Sequence, residues 1–210
     1  MRVLGISAVG IVTLLSSPAW ADLPVVQEAH AVWEGCDYAI RVEQDVDPIP
    51  YPRPLYRVSV RSSVVSADTC TLEPRTVVLG TSLLEPHIAI AANEQGLVAA
   101  FSGGEYVRAI GPYAATYVRR LEPSTLATLR QEMISAGWTS APGTAGGPGT
   151  ADVVRLAIYP THLELKGIRS GNLVTAYPSG DSRFEEGTGF AAFYSNFFGV
   201  NQKPPILFVY

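Results

Sequence analysis

Three histidines, His30, His87 and His162, are the residues of this 210-residue chain best placed to do chemistry. Each opens a stretch of similar sequence at a similar phase. If the three stretches are arranged about an axis, three imidazoles meet and can hold Zn²⁺ with a fourth position open, as a hydrolytic or hydratase centre requires. Their alternation with apolar neighbours equally describes the polar side of half-exposed strands. An H-x-H or i, i+4 pair, which would mark a metal site more sharply, is absent.

Other groups offer less. A Ser-His-Asp triad needs no closeness in sequence, but no G-x-S-x-G elbow nominates a serine. Gly180-Asp-Ser182 lies in a late glycine-rich stretch and reads as a turn. Asp45-Val-Asp47 with Glu43 offers carboxylates for Ca²⁺ but lacks the D-x-D-x-D-G spacing. Glu185-Glu186 reads as a solvated loop, since adjacent carboxylates seldom both face a substrate. Phe190, Phe193, Tyr194, Phe197 and Phe198 crowd one segment. Core packing is the ordinary use of such rings. Beside Gly187-Thr-Gly189 they suggest a rim at which Tyr194, Phe197 and Phe198 meet a glycan or a protein. No dinucleotide fingerprint or phosphate-cradling loop appears, so no cofactor is expected beyond the zinc of the histidine reading. Charged residues are 16% and the net charge is −4, which excludes a basic nucleic-acid binder.

These residues need elements to position them, and the sequence repeats. His87-Ile-Ala-Ile-Ala-Ala-Asn-Glu-Gln-Gly96 and Leu97-Val-Ala-Ala-Phe101 resemble His162-Leu-Glu-Leu-Lys-Gly-Ile-Arg-Ser-Gly171 and Leu173-Val-Thr-Ala-Tyr177. Tyr113-Ala-Ala-Thr-Tyr117 and Phe190-Ala-Ala-Phe-Tyr194 follow in the same order. A fainter copy runs from His30-Ala-Val-Trp33 through Tyr56-Arg-Val-Ser-Val60. Leu72-Glu-Pro-Arg-Thr76 matches Leu121-Glu-Pro-Ser-Thr125. Three imperfect units therefore begin near residues 25, 82 and 152.

Alternation at period two within each unit predicts an all-β chain of antiparallel meanders. One segment departs from it. Ser124 is a fitting N-cap, Leu126, Leu129, Met133 and Ile134 share a helical face, and Gly137 stands at the C-cap. This spacing predicts a helix over 124–136 and leaves α+β as the alternative class. Residues 141–151 (APGTAGGPGTA) predict a flexible loop within a single domain spanning 22–210.

The hairpin 86–101, with Tyr113-Ala-Ala-Thr-Tyr117 and Leu121-Glu-Pro-Ser-Thr125, resembles a blade of secreted bacterial β-propellers of the sialidase-like kind. The resemblance implies stacked antiparallel strands. It implies no catalytic residue, because the S-x-D-x-G-x-T-W box of sialidases is absent. Three units are fewer than the 4–8 blades of a closed propeller. Threefold trefoils and prisms suit the count, although the Q-x-W signature of ricin-type trefoils is missing.

The N-terminus reads as an address. Arg2, the apolar stretch 3–15 and Ala19-Trp20-Ala21 have the form of a signal peptide cleaved after residue 21. No later stretch is apolar enough to span a membrane. Export to the periplasm or beyond would favour pairing of Cys36 with Cys70. The reading favoured by the sequence is an exported, non-catalytic β-repeat protein that binds a glycan or protein partner. The alternatives are an envelope or secreted hydrolase with a three-histidine metal site and a structural domain of the envelope.

Overall fold

The computed structural model describes residues 23–45, 55–107, 111–137, 149–170, 172–175, 189–200 and 203–210. The predicted signal peptide lies outside them, as do 141–148 of the predicted loop, Asp47, Gly180-Asp-Ser182 and Glu185-Glu186. The described chain is all-β, with thirteen strands and no helix.

The strands form three successive meanders. The first joins β1 (Val25–Trp33), β2 (Cys36–Asp45), β3 (Leu55–Val64) and β4 (Arg75–Ser82), each antiparallel to the next. The second joins β5 (Ile88–Asn93), β6 (Gly96–Val107), β7 (Gly111–Leu121) and β8 (Thr128–Gly137). The third joins β9 (Thr150–Ile158) and β10 (Leu163–Ser170) to β12 (Gly189–Tyr194) and β13 (Ile206–Val209). The short β11 (Asn172–Thr175) leaves the third meander and pairs with β8. One parallel bridge, Ala114 to Thr150, connects the second and third meanders into a nine-stranded sheet.

The middle meander is buried on both faces, and its sequence shows how. Leu97, Ala99 and Phe101 of β6 pack with Tyr38, Ile40, Val42, Val58 and Val60 of the first meander. Val98 and Ala100, pointing the opposite way, pack with Val153, Leu163, Leu165, Phe190 and Leu207 of the third. Adjacent residues thus serve two cores, as period-two alternation requires. Burying each Leu, Val or Phe side chain contributes roughly 1.5–3 kcal/mol. The first strands lie in sequence along the stack, β1 on β5 and β5 on β9.

Two expectations are corrected. Residues 124–136 are not helical. Pro123–Thr125 make one turn, the amide of Leu126 donates to the carbonyl of Glu122, and Leu126 then adopts φ +58°. That left-handed residue ends the turn, and β8 follows. The inward residues of β8 are Arg130, Glu132 and Ile134, with Leu129 outside. A charged pair on the buried face conceals the strand period, and the remaining apolar residues fall at helical spacing by coincidence. The phase of the repeat also differs. His87 precedes the first strand of its meander, whereas His162 precedes the second strand of its own. The segments Tyr113–Tyr117 and Phe190–Tyr194 do occupy equivalent third strands, and both Leu-Glu-Pro segments connect third strands to fourth.

The hairpin between β1 and β2 reverses the chain within two residues. Its two central residues, Glu34 (φ +49°) and Gly35 (φ +71°), both have the positive φ of a type I′ turn. A Cβ on Gly35 would collide with Thr69 Oγ1, so only glycine fits there. Glu34 is unusual, since this conformation favours Asn, Asp or Gly.

Candidate functional site

The three histidines do not meet. His30 stands exposed on the outer face of β1, its Nδ1 3.1 Å from both carboxylate oxygens of Asp37 and its Nε2 3.4 Å from Glu28. The Ser63 hydroxyl also donates to Asp37, at 3.4 Å. The aspartate is therefore the middle member of this Ser-His-Asp set. A hydroxyl bound to the carboxylate is not activated by the imidazole, so the arrangement is not that of a nucleophilic triad. His87 is exposed before β5, where its backbone N–H donates to Ser102 Oγ. His162 stacks on Tyr159, with ring centroids 4.7 Å apart, and meets Phe193 at 5.7 Å. Among the described residues no three His, Cys, Asp or Glu side chains group as metal ligands. The shifted repeat phase is the reason: equivalent-looking histidines occupy non-equivalent strands.

The predicted aromatic rim is not a rim either. Tyr194 and Phe197 are each 1% exposed and belong to the core between the second and third meanders. Phe197 lies edge-on to both Tyr194 and Phe198, with the Arg130 guanidinium 4.8 Å from its ring centre. Phe198 is half-buried under Arg120, which donates to the Phe198 carbonyl at 2.8 Å. The rings anchor the turn after β12 to the middle meander.

The two ends of the stack differ in chemistry. The outer face of the first meander is charged and internally paired, Arg41 with Glu28 at 2.6 Å and Arg57 with Glu43 at 2.7 Å. Val32 is exposed among these charges, and Val78 lines a depression of about 740 Å³ with Leu23, Leu55, Glu43 and Arg57. The outer face of the third meander is apolar. Val154, Ile168, Ile206, Phe208 (52% exposed) and Tyr210 (65%) are all exposed there. Their inward neighbours Val153, Leu207 and Val209 belong to the core. Phe193 meets Phe208 edge-on at 5.5 Å, which extends the Tyr159–His162–Phe193 series across the sheet.

Local structure positions this face. Gly189 and Tyr210 exchange two backbone hydrogen bonds, at 2.9 and 3.1 Å, and a Cβ on Gly189 would run into the Tyr210 ring. The glycine thus lets the terminal tyrosine lie against the sheet. Beside it is a depression of about 410 Å³ bounded by Val154, Ile168, Gly189, Tyr210 and the cations Arg155 and Lys166. Lys166 reaches Glu164 at 2.9 Å. That hydrogen bond holds the Glu164 carboxyl below the usual carboxylate range and raises the Lys166 ammonium. The pair stays charged and forms a polar margin.

The sequence carried a signal for this face. In Ile206-Leu-Phe-Val-Tyr210 every residue is apolar, so whichever face is buried, the other remains apolar too. Comparisons with family models, curated proteins and solved structures find no match to this chain.

Proposed function

We propose that this chain is an exported, non-catalytic β-repeat protein that binds a protein partner through the outer face of its third meander. The observation that carries the reading is the contiguous exposure of Val154, Ile168, Ile206, Phe208 and Tyr210 at one end of a stack whose other end is ion-paired. Large exposed apolar patches with polar edges mark interaction sites. Aromatic residues enrich the centres of such interfaces, and Glu164, Arg155 and Lys166 supply the polar edge. Val154, Ile168 and Ile206 favour a protein over a glycan. A sugar's hydroxyls need hydrogen-bonding partners, and aliphatic side chains offer none. The leader-like residues 1–21 and the Cys36–Cys70 disulfide support export. The separated histidines give the hydrolase reading no site among the described residues.

A photo-reactive residue at position 206 should cross-link to a discrete partner in the cells that make the protein. The same probe at position 30, beside Glu28 and Asp37 on the opposite face, should not. Phe208→Lys should cut the adduct at position 206 at least about tenfold, as loss of a central aromatic contact does. Equal yields from the two faces, or a yield indifferent to Phe208→Lys, overturn the reading. A glycan-array signal lost in Phe208→Lys would assign the face to a sugar instead.

A further inference from the structure

A second site lies at the seam of the first and second meanders, away from the apolar face. The β1–β2 hairpin, the segment around Cys70 and the β7–β8 connection enclose a pocket of about 180 Å³. Its walls include Trp33, Glu34, Tyr38 and Thr71 from the first meander and Glu122 and Ser124 from the second. We propose that this pocket binds a primary ammonium group, with Glu34 and Glu122 as its counter-charges, the Tyr38 hydroxyl as a third acceptor and Trp33 as its apolar wall.

Three observations converge on that chemistry. Tyr38 is 1% exposed and its ring is part of the core, yet among the described residues its hydroxyl has no hydrogen-bond partner and ends in the pocket. The hydroxyl is not an orphaned buried atom; it opens onto the pocket and is free to accept from a ligand there. Next, Glu34 and Glu122 have no cationic partner among the described residues, although Glu28 and Glu43 on the neighbouring strands are each paired with an arginine. Ser124 donates to Glu122 at 3.4 Å, which leaves the charge in place. Both carboxylates act on the buried phenol. Burial raises the Tyr38 pKa first, and Glu34 and then Glu122 raise it further. Finally, Glu34 occupies a positive-φ position that glycine or asparagine fills more comfortably, so a carboxylate is kept there against local preference.

The donor count selects the ligand. An ammonium presents three N–H donors on a compact charge, and the pocket offers two carboxylates and one phenol oxygen. Trp33 can face the carbons or the cation itself. A divalent metal suits the set less well, because hard cations take six or more oxygens and no three-ligand group is present among the described residues. The ammonium can come from a free amine, such as an amino sugar, or from a lysine side chain.

Titration calorimetry with the full chain tests this. Propylammonium, glucosamine and Nα-acetyl-lysine amide are compared with the uncharged propanol and glucose, and with Ca²⁺. At least one amine should bind while its neutral counterpart does not. Binding of acetyl-lysine amide assigns the site to lysine side chains, and binding of glucosamine alone assigns it to a free amino sugar. Glu122→Gln should weaken the amine about tenfold or more, the loss expected for one charged hydrogen bond. Glu34→Gly and Tyr38→Phe should also weaken it while leaving the Tm equal or higher, since the first relieves a positive-φ residue and the second removes no protein hydrogen bond. A purely structural role would lower the Tm in both. Phe208→Lys should leave amine binding unchanged, so this site and the partner-binding face fail separately. Equal binding of amine and alcohol, no amine binding, an affinity indifferent to Glu122→Gln, or Ca²⁺ displacing the amine overturns the proposal.

Discussion

Arg130→Met should destabilise the protein by about 3–5 kcal/mol, the range for removing one partner of a buried ion pair. Arg130 Nε donates to Glu132 Oε1 at 2.8 Å, and the two side chains are 5% and 6% exposed. Nη1 also donates to the carbonyls of Asn196 and Phe197, at 2.9 and 2.7 Å. One guanidinium thus compensates a buried carboxylate and holds the β12–β13 turn of the third meander on β8 of the second. Methionine fills the volume but satisfies none of these acceptors. The Glu132 carboxylate loses this buried partner in a low-dielectric setting, and two backbone carbonyls lose a donor. The double variant Arg130→Met/Glu132→Leu should recover much of the loss, because the pair's attraction largely offsets its own desolvation. Urea unfolding of the two variants and the parent measures this. A single variant within about 1 kcal/mol of the parent would mean that water reaches the pair and that the turn is held by its aromatic rings alone.

The same pair shows what the sequence could and could not convey. Strands such as Ile88–Asn93 are legible because their alternation sorts residues between two apolar cores. In β8 the buried positions 130 and 132 are charged, so a rule keyed to apolar residues counts them as outside. Leu126, Leu129, Met133 and Ile134 are left to imitate a helix. The aromatic segment fails for a related reason. Phe193 and Tyr194 are neighbours in one strand and must face opposite ways, but both faces of that strand are apolar. Only the packing of the middle meander, on the Tyr194 side, decides which ring is covered. Similarly, the match of His87 to His162 rests on local likeness, and the pairing of β10 with β12, past β11, is a tertiary fact. The ammonium pocket needs a hairpin of one meander and a connection of the next. No local pattern announces their meeting, although the paired Leu-Glu-Pro segments were visible alone.

Removing the disulfide should have the second large effect. Cys36 and Cys70 are paired across a separation of 34 residues, which joins the start of β2 to the β3–β4 connection. A loop of that size corresponds to about 3–4 kcal/mol on the chain-entropy model. The Cys36→Ala/Cys70→Ala variant should unfold at correspondingly lower urea, with a Tm lower by roughly 2–4 °C for each kcal/mol lost. The connection has other restraints. The Gly35 carbonyl accepts from the amides of Val65 and Ser66, and the Ser66 carbonyl accepts from those of Thr69 and Cys70. These bonds preserve the local turn, but their neighbours Thr69 and Thr71 also wall the ammonium pocket. Without the covalent tie the wall must be ordered when the ligand binds, and that ordering opposes binding. Amine affinity should therefore fall in the variant even at temperatures where it is fully folded. If stability falls and affinity does not, the hydrogen bonds alone preorganise the pocket and the disulfide acts only on the unfolded chain. If neither falls, the chain-entropy estimate fails here because the unfolded chain already keeps the two ends close.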